Sequence, residues 1–202
     1  LDFDHYQIQT TEEEVLDFFI NSPFLKAADL LDDAHSLRFN DGKLSFFYSG
    51  VNPYFASVAA DFIHHKLIEC SKSFTFETLM SSTDKVKLLQ MAHSRGYQTY
   101  LYYIATEDPA INISRVRYRE RVNNRSASEE TIISSYQRSL DLLKKAISFT
   151  NYAYIFDNST LEPTWLATIT DGHLLEMKTD LVPSWFKNAL GSQFNIGNKE
   201  PQ

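Results

Sequence analysis

The chain contains a single cysteine, Cys70, and only six glycines and six prolines among its 202 residues. One cysteine excludes an internal disulfide, and so few glycines and prolines argue against a disordered, linker-rich protein. No apolar run approaches the roughly 18 residues of a membrane-spanning helix, which argues against a membrane partner. We therefore expect a globular protein in a reducing, cytoplasmic setting.

Basic residues are also in the minority, with 19 Lys and Arg against 26 Asp and Glu and a formal charge of −7. This balance argues against nucleic acid as the main partner, because neutralising phosphates needs a basic surface. His64 and His65 are adjacent and would face different directions on a helix, and the other histidines lack a Cys or His partner at ligand spacing. We predict no metal site built from protein ligands.

Apolar and aromatic residues, at 43% and 14%, are sufficient for a sizeable core. A chain of 202 residues suits one domain, so we predict that residues 1–202 form a single domain.

Helical and strand patterns alternate along the chain. Thr11 and Glu14 form a capping box before a helix, and a second helix is predicted over 22–37. "SFTFET" (73–78) reads as a short strand, and "YQTYLYYIAT" (97–106) as a central parallel strand that is buried on both faces. The order strand, helix, strand, helix pair, strand predicts a parallel α/β sheet covered by helices, followed by a C-terminal hairpin at Asp171-Gly172.

Three strand ends become candidate sites, because ligands collect at the carboxyl ends of parallel strands. They are Glu77-Thr78, Thr106-Glu107-Asp108 and Asp157-Asn158-Ser159. The alternative is ordinary loop chemistry, since the same residue types cap helices in any fold.

A basic helix pair provides a fourth candidate. "RERVNNRSASEETIISSYQRSL" (119–140) reads as the end of one helix, a polar break and the start of another. Five arginines lie between Arg115 and Arg125, and Arg138 follows the break. They can close over a phosphate or form a solvated basic face.

Four segments together resemble the zeta toxin-like P-loop kinases: "YFASVAADFI", "SFTFETLMSSTDKVKLL", "GYQTYLYYIATEDPAINISRVRYR" and "YQRSLDLLKKAI…YIFDNS". The likeness covers nearly the whole chain in the right order. It implies a three-layer α/β/α sheet of the P-loop kinase type with a helical lid. It also implies an ATP-dependent small-molecule kinase, with ATP and Mg²⁺ as cofactors. The best-known members phosphorylate a sugar hydroxyl of UDP-N-acetylglucosamine, and an antitoxin protein would be a further partner.

The resemblance also implies roles for individual residues. Glu77 and Thr78 match a substrate-binding Glu-Thr motif. Arg119 and Arg138 match catalytic basic positions around the lid. Asp157, Asn158 and Ser159 match the loop beside the nucleotide base.

The chain departs from the family pattern in four places. It contains no Gly-x-x-x-x-Gly-Lys-Ser/Thr, and the Asn-x-Asp motif expected just before Leu1 is absent too. "NNRSAS" (123–128) replaces a glycine-containing lid sequence, and Ser135 replaces an arginine.

Two explanations remain open for the missing motifs. The chain is a fragment without the first strand, phosphate loop and helix, as the non-methionine start favours, or it is a relative that lost ATP chemistry. We expect the natural protein to contain that strand, and the chain as given not to turn over ATP. The alternative function is a catalytically inert zeta-like module that binds a nucleotide-sugar or a protein such as an antitoxin.

Overall fold

The structure is a computed structural model that describes residues 1–47, 50, 52–123, 127–194 and 196. The chain divides into two compact units, Leu1–Phe76 and Glu77–Gln202. The single domain over residues 1–202 stays a prediction. In the described part of the chain, no helix is both long and apolar enough to span a membrane.

The first unit is mainly helical around a cluster of phenylalanines. Thr11 forms the predicted capping box with Glu14, which fixes the start of the first helix. The helix predicted over 22–37 is wrong as one element, because Asp29 adopts a left-handed φ of 57° and divides it in two. The elements are a 3-10 helix (Asp4–Tyr6), α1 (Glu12–Ile20), α2 (Pro23–Ala27), α3 (Leu31–Ala34), β1 (Arg38–Asn40), β2 (Lys43–Ser45) and α4 (Pro53–Glu69).

The strand predicted over 73–78 is also wrong, since the structure has no strand there. Its two aromatic side chains instead pack against a helix of the first unit. Phe74 and Phe76 lie 5.4 Å and 4.7 Å from the ring of His64 on α4, measured between ring centroids. The alternating aromatic pattern therefore reflects packing on a helix and not pairing with a neighbouring strand.

The second unit has a mixed α/β fold. Its four strands follow the order β3-β4-β5-β6, in which β3 and β4 are parallel and the other neighbours antiparallel. The hairpin predicted at Asp171-Gly172 joins β5 to β6. The elements are α5 (Thr83–Ser94), β3 (Tyr100–Ala105), α6 (Pro109–Asn123), α7 (Glu129–Ile147), β4 (Tyr152–Asp157), β5 (Thr164–Thr170), β6 (Leu174–Met177) and α8 (Ser184–Phe194).

Strand β3 forms as predicted, but the expectation that it is central and buried on both faces is wrong. It stands at the end of the described strand order, and Tyr100, Tyr102 and Ile104 are 48%, 67% and 60% exposed. The alternate residues Leu101 and Tyr103 are buried in a core shared with α5, α7 and α8. Aromatic residues are equally suited to a half-exposed strand, so composition alone does not distinguish the two environments.

Tyr103 makes the second unit sensitive to alkali. Burial raises the pKa of Tyr103 to about 12, and its hydrogen bond with Ser139 opposes part of that rise. The folded state therefore holds the phenolic proton more tightly than the unfolded state. Its contribution is complete below the ordinary pKa of 10 and is lost as the pH rises through about 12.

Tyr103→Phe should therefore reduce the alkaline loss of stability. In urea unfolding between about pH 9 and about pH 12, we expect the wild type to lose about 2 kcal/mol more than this variant. Tyr118→Phe is the matched control, because Tyr118 is 71% exposed. Equal pH dependence in both variants would contradict the assignment.

Candidate nucleotide and substrate site

The parallel pairing of β3 and β4 brings two of the predicted strand ends together. The backbone N–H of Asn158 donates to the carbonyl of Ala105 at 2.7 Å. The backbone N–H of Glu107 donates to the hydroxyl of Ser159, also at 2.7 Å. The segments 106–108 and 157–159 therefore form one connected edge of the sheet.

Asp157 is a buried carboxylate at the centre of this edge, with 5% of its surface exposed. It accepts hydrogen bonds from the backbone N–H and the hydroxyl of Ser159, at 3.0 Å and 2.9 Å. It also accepts one from the indole N–H of Trp185 at 2.7 Å. A buried charge is tolerated when it is hydrogen-bonded in this way, so Asp157 is a structural centre of the edge.

Sequence reasoning did not identify Trp185 as part of the site. Trp185 is 2% exposed and belongs to α8, the last helix of the chain. A buried tryptophan needs an acceptor for its indole N–H, and Asp157 was already a candidate residue. This was only a weak indication that the two side chains are hydrogen-bonded.

Two further contacts tie helices to the same edge. The Glu107 carboxylate accepts from the backbone N–H of Ser184 with both oxygens, at 3.1 Å and 3.0 Å. The hydroxyl of Tyr136 on α7 donates to the carbonyl of Thr106 at 2.8 Å. Burial, and then the negative charges of nearby carboxylates beginning with Glu107, raise the pKa of Tyr136. The hydroxyl therefore stays protonated at neutral pH and keeps this donor.

A cleft of about 430 Å³ opens beside this edge and is lined by residues of α7 and α8. Its volume lies in the range of small-molecule pockets. Three carboxylates line it, those of Glu107, Asp108 and Asp141, against the single ammonium group of Lys144. This excess of negative charge makes the cleft unfavourable for the phosphates of a nucleotide.

Asn158 differs from its two neighbours in the segment 157–159. Its backbone is fixed by the bond to Ala105, and its side chain is half-buried. The carboxamide makes no hydrogen bond with any other residue that the structure describes. It is therefore available to a ligand.

Glu77 and Thr78 lie in the irregular segment before α5, and both are exposed. The prediction that Glu77 lies at the end of a strand is therefore wrong. The hydroxyl oxygen of Thr78 accepts from the backbone N–H of Met80 at 3.2 Å, which leaves its proton free to donate. Met80 adopts a left-handed φ of 50° and buries its side chain, which anchors the segment.

Arg138 connects this segment to the helix pair. Its Nε donates to the carbonyl of Ser81 at 3.2 Å, and its Nη2 to the hydroxyl of Ser135 at 3.1 Å. Arg138 thus holds the backbone just after Thr78, and Ser135 supplies an acceptor at a position where the resemblance led us to expect an arginine.

The arginines of α6 have different surroundings. Arg115 donates to the carbonyl of Thr160 at 3.2 Å, and Arg117 pairs with Glu129 of α7. Arg119 is exposed and has no hydrogen-bonding or ionic partner within the described ranges. The predicted break falls partly outside those ranges, since Asn124, Arg125 and Ser126 are not described. That Arg119 and Arg138 close together over a phosphate stays a prediction.

No group of three His, Cys, Asp or Glu side chains that could hold a metal ion occurs among residues 1–47, 50, 52–123, 127–194 and 196. P-loop proteins hold Mg²⁺ through a loop hydroxyl, an acidic residue and the nucleotide phosphates, and the loop motif is absent from these 202 residues. The described side chains therefore do not form a Mg²⁺ site by themselves.

A mixed α/β sheet with polar strand ends and a basic helix pair matches the P-loop kinase-like class. A family model described as Zeta toxin matches residues 48–161, which is more than half of the chain. The chain therefore belongs to the zeta toxin family, as the sequence resemblance indicated. No curated protein and no solved structure matches it significantly.

Proposed function

We propose that this protein is an ATP-dependent small-molecule kinase. Membership of the zeta toxin family over residues 48–161 is the observation that carries the proposal. The proposal is also supported by side chains at the predicted positions that are available to bind a ligand. Asn158 would contact the base, Arg119 the phosphates, and Glu77 with Thr78 the phosphate acceptor.

Phosphoryl transfer depends mainly on positioning and on electrostatic stabilisation. The Arg119 guanidinium can make paired, charge-assisted hydrogen bonds with phosphate oxygens. The Glu77 carboxylate can accept from sugar hydroxyls, while the Thr78 hydroxyl can donate to an acceptor atom. These groups fit a nucleotide-sugar such as UDP-N-acetylglucosamine as the phosphate acceptor.

The exposed face of β3 supports a further strand and helix in the complete kinase. Tyr100 stacks on Tyr152 at 5.5 Å, and Tyr102 stacks on Tyr154 at 4.9 Å, between ring centroids. P-loop kinase-type sheets cover both faces with helices, because a parallel strand pair is normally buried. We propose that a strand and helix carrying the phosphate loop would cover these rings.

A second candidate function is a catalytically inert module that binds a nucleotide-sugar or an antitoxin protein. The altered lid sequence at 123–128 favours it, as does Ser135 in place of an arginine. Reading the encoded sequence upstream of Leu1 separates the two candidates. A phosphate loop with Asn-x-Asp supports the kinase, and a continuous sequence without them supports the inert module.

The 202-residue chain itself should not turn over ATP, since no lysine-bearing phosphate loop is present in it. We expect no phosphate release above background when it is incubated with ATP, Mg²⁺ and UDP-N-acetylglucosamine. Steady hydrolysis that survives Arg119→Ala would overturn this expectation and its physical basis.

Glu77→Gln should weaken binding of UDP-N-acetylglucosamine while leaving the thermal midpoint nearly unchanged. The exposed carboxylate makes no hydrogen bond or ion pair with another described residue, so its loss removes ligand hydrogen bonds of about 1.5 to 3 kcal/mol, or about tenfold to a hundredfold in Kd. Calorimetric titration and thermal unfolding measure the two effects. Glu162→Gln, at another exposed carboxylate, is the control. Parallel losses of binding and stability would indicate a structural carboxylate instead.

A further inference from the structure

We propose that the first unit of the chain carries a docking surface for a basic, partly apolar segment of a partner protein. This surface, the Phe24–Tyr54 face, consists of the exposed rings of Phe24 and Tyr54 together with the carboxylates of Asp29, Asp32 and Asp33. It goes beyond the proposed kinase activity, because most of it lies before residues 48–161, the segment that the family model matches.

The net charge of the chain is concentrated at this end of the sequence. Residues 1–47 contain ten Asp and Glu against three Lys and Arg, whereas the rest of the chain contains 16 of each. All ten acidic residues are exposed. The formal charge of −7 therefore belongs to residues 1–47 alone, and a cationic partner is attracted to this part of the protein and not to the remainder.

Three of these acidic residues lie beside the helix that carries Phe24. Asp29 joins α2 to α3, and Asp32 and Asp33 lie in the first turn of α3, which packs against α2. Their carboxylates make no hydrogen bond or ion pair with any other described residue. They are therefore available to the lysine and arginine side chains of a partner.

Phe24 and Tyr54 form an aromatic pair that the core does not use. Their ring centroids lie 5.1 Å apart, and the two residues are 49% and 42% exposed. Each directly precedes a fully buried residue, Leu25 or Phe55, which points into the core in its place. The pair therefore presents apolar surface that a partner can remove from water.

The backbone beneath both rings is fixed before any partner binds. The side chain of Ser22 accepts from the backbone N–H of Leu25 at 3.3 Å, and the side chain of Asn52 accepts from that of Phe55 at 2.9 Å. These caps hold the first turns of α2 and α4, from which the rings project. A preorganised surface loses little conformational entropy on binding, which favours affinity.

Charge complementarity decides the kind of partner. Aromatic rings next to available carboxylates favour a segment in which lysines and arginines surround an apolar side chain. The cationic side chains can also pack their stems against the rings. Nucleic acids and anionic membranes are repelled by the same carboxylates, so a basic protein segment is the partner that fits.

The test uses a synthetic helical peptide with leucines along one face and lysines elsewhere, titrated against the full 202-residue chain and followed by fluorescence anisotropy. We expect one peptide to bind per chain. Phe24→Ser and Tyr54→Ser should each raise the Kd about tenfold, the effect of truncating a central interface side chain. Leu161→Ser is the matched control, because Leu161 is 99% exposed and belongs to the second unit. Its Kd should stay within about twofold of the wild type.

Salt separates the contribution of charge from that of the rings. Asp32→Asn combined with Asp33→Asn should weaken binding in dilute buffer and lose this effect at high salt, whereas the effect of Phe24→Ser should persist. A peptide with glutamates in place of the lysines should not bind. Absence of binding to the lysine peptide, equal binding of the glutamate peptide, or aromatic variants that match Leu161→Ser would overturn the inference. Each of these results leaves the proposed kinase activity standing.

Discussion

Asp157→Ala is expected to lower the free energy of unfolding by about 3 kcal/mol, because it leaves one buried and one partly buried donor without an acceptor. These donors are the indole N–H of Trp185 and the backbone N–H of Ser159. Urea unfolding monitored by circular dichroism measures the change. Asp180→Ala is the control, since Asp180 is exposed and has no hydrogen-bonding or ionic partner in the described residues.

Asp157→Asn separates the charge from the hydrogen bonds. The amide oxygen can still accept from Trp185, whereas the amide nitrogen cannot accept from Ser159. Its cost should therefore fall between the control and Asp157→Ala. A loss below about 1 kcal/mol for Asp157→Ala, within the ordinary effect of a surface change, would show that the buried network is not the support of this sheet edge.

Arg119→Ala is expected to weaken ATP binding by about tenfold to a hundredfold. A hydrogen bond to a charged group contributes about 1.5 to 3 kcal/mol, which corresponds to that change in Kd. Arg119 is exposed and without a partner among the described residues, so its guanidinium is free to bind phosphate oxygens. Arg117 already pairs with Glu129, and Arg117→Ala should have an effect below about twofold. Arg121→Ala should be similarly mild.

Arg138→Ala should also weaken ATP binding strongly if Arg138 completes the lid. Its hydrogen bond to the Ser81 carbonyl holds the backbone that follows the Glu77-Thr78 segment. Arg138→Ala should therefore also weaken binding of UDP-N-acetylglucosamine. A solvated basic face predicts a different pattern: four similar, small effects that fade together as salt is added. Titrations at low and high salt distinguish these patterns.

Local sequence rules were sufficient where short-range chemistry decides the structure. The Thr11–Glu14 capping box and the Asp171-Gly172 turn each follow from side chains a few residues apart. The end of β4 at Asp157 was also predictable, because Asp-Asn-Ser directly after an apolar strand is typical of a loop.

Sequence rules were insufficient where tertiary contacts decide the local structure. The alternation of Phe74 and Phe76 suits a strand equally well, and only the ring of His64 on α4 explains why they pack on a helix. The bond between Trp185 and Asp157 joins residues 28 positions apart, and no local pattern signals it. The exposed face of β3 likewise depends on its neighbours in the sheet.

We propose that one chain holds a nucleotide at the β3–β4 edge and a phosphate acceptor at Glu77-Thr78. The most direct measurement is a calorimetric titration of the 202-residue chain with ATP and UDP-N-acetylglucosamine, alone and together. We predict that both bind at once, that Asn158→Ala weakens ATP alone, and that Glu77→Gln weakens UDP-N-acetylglucosamine alone. Competition between the two ligands for one site, or binding of neither, would contradict the account.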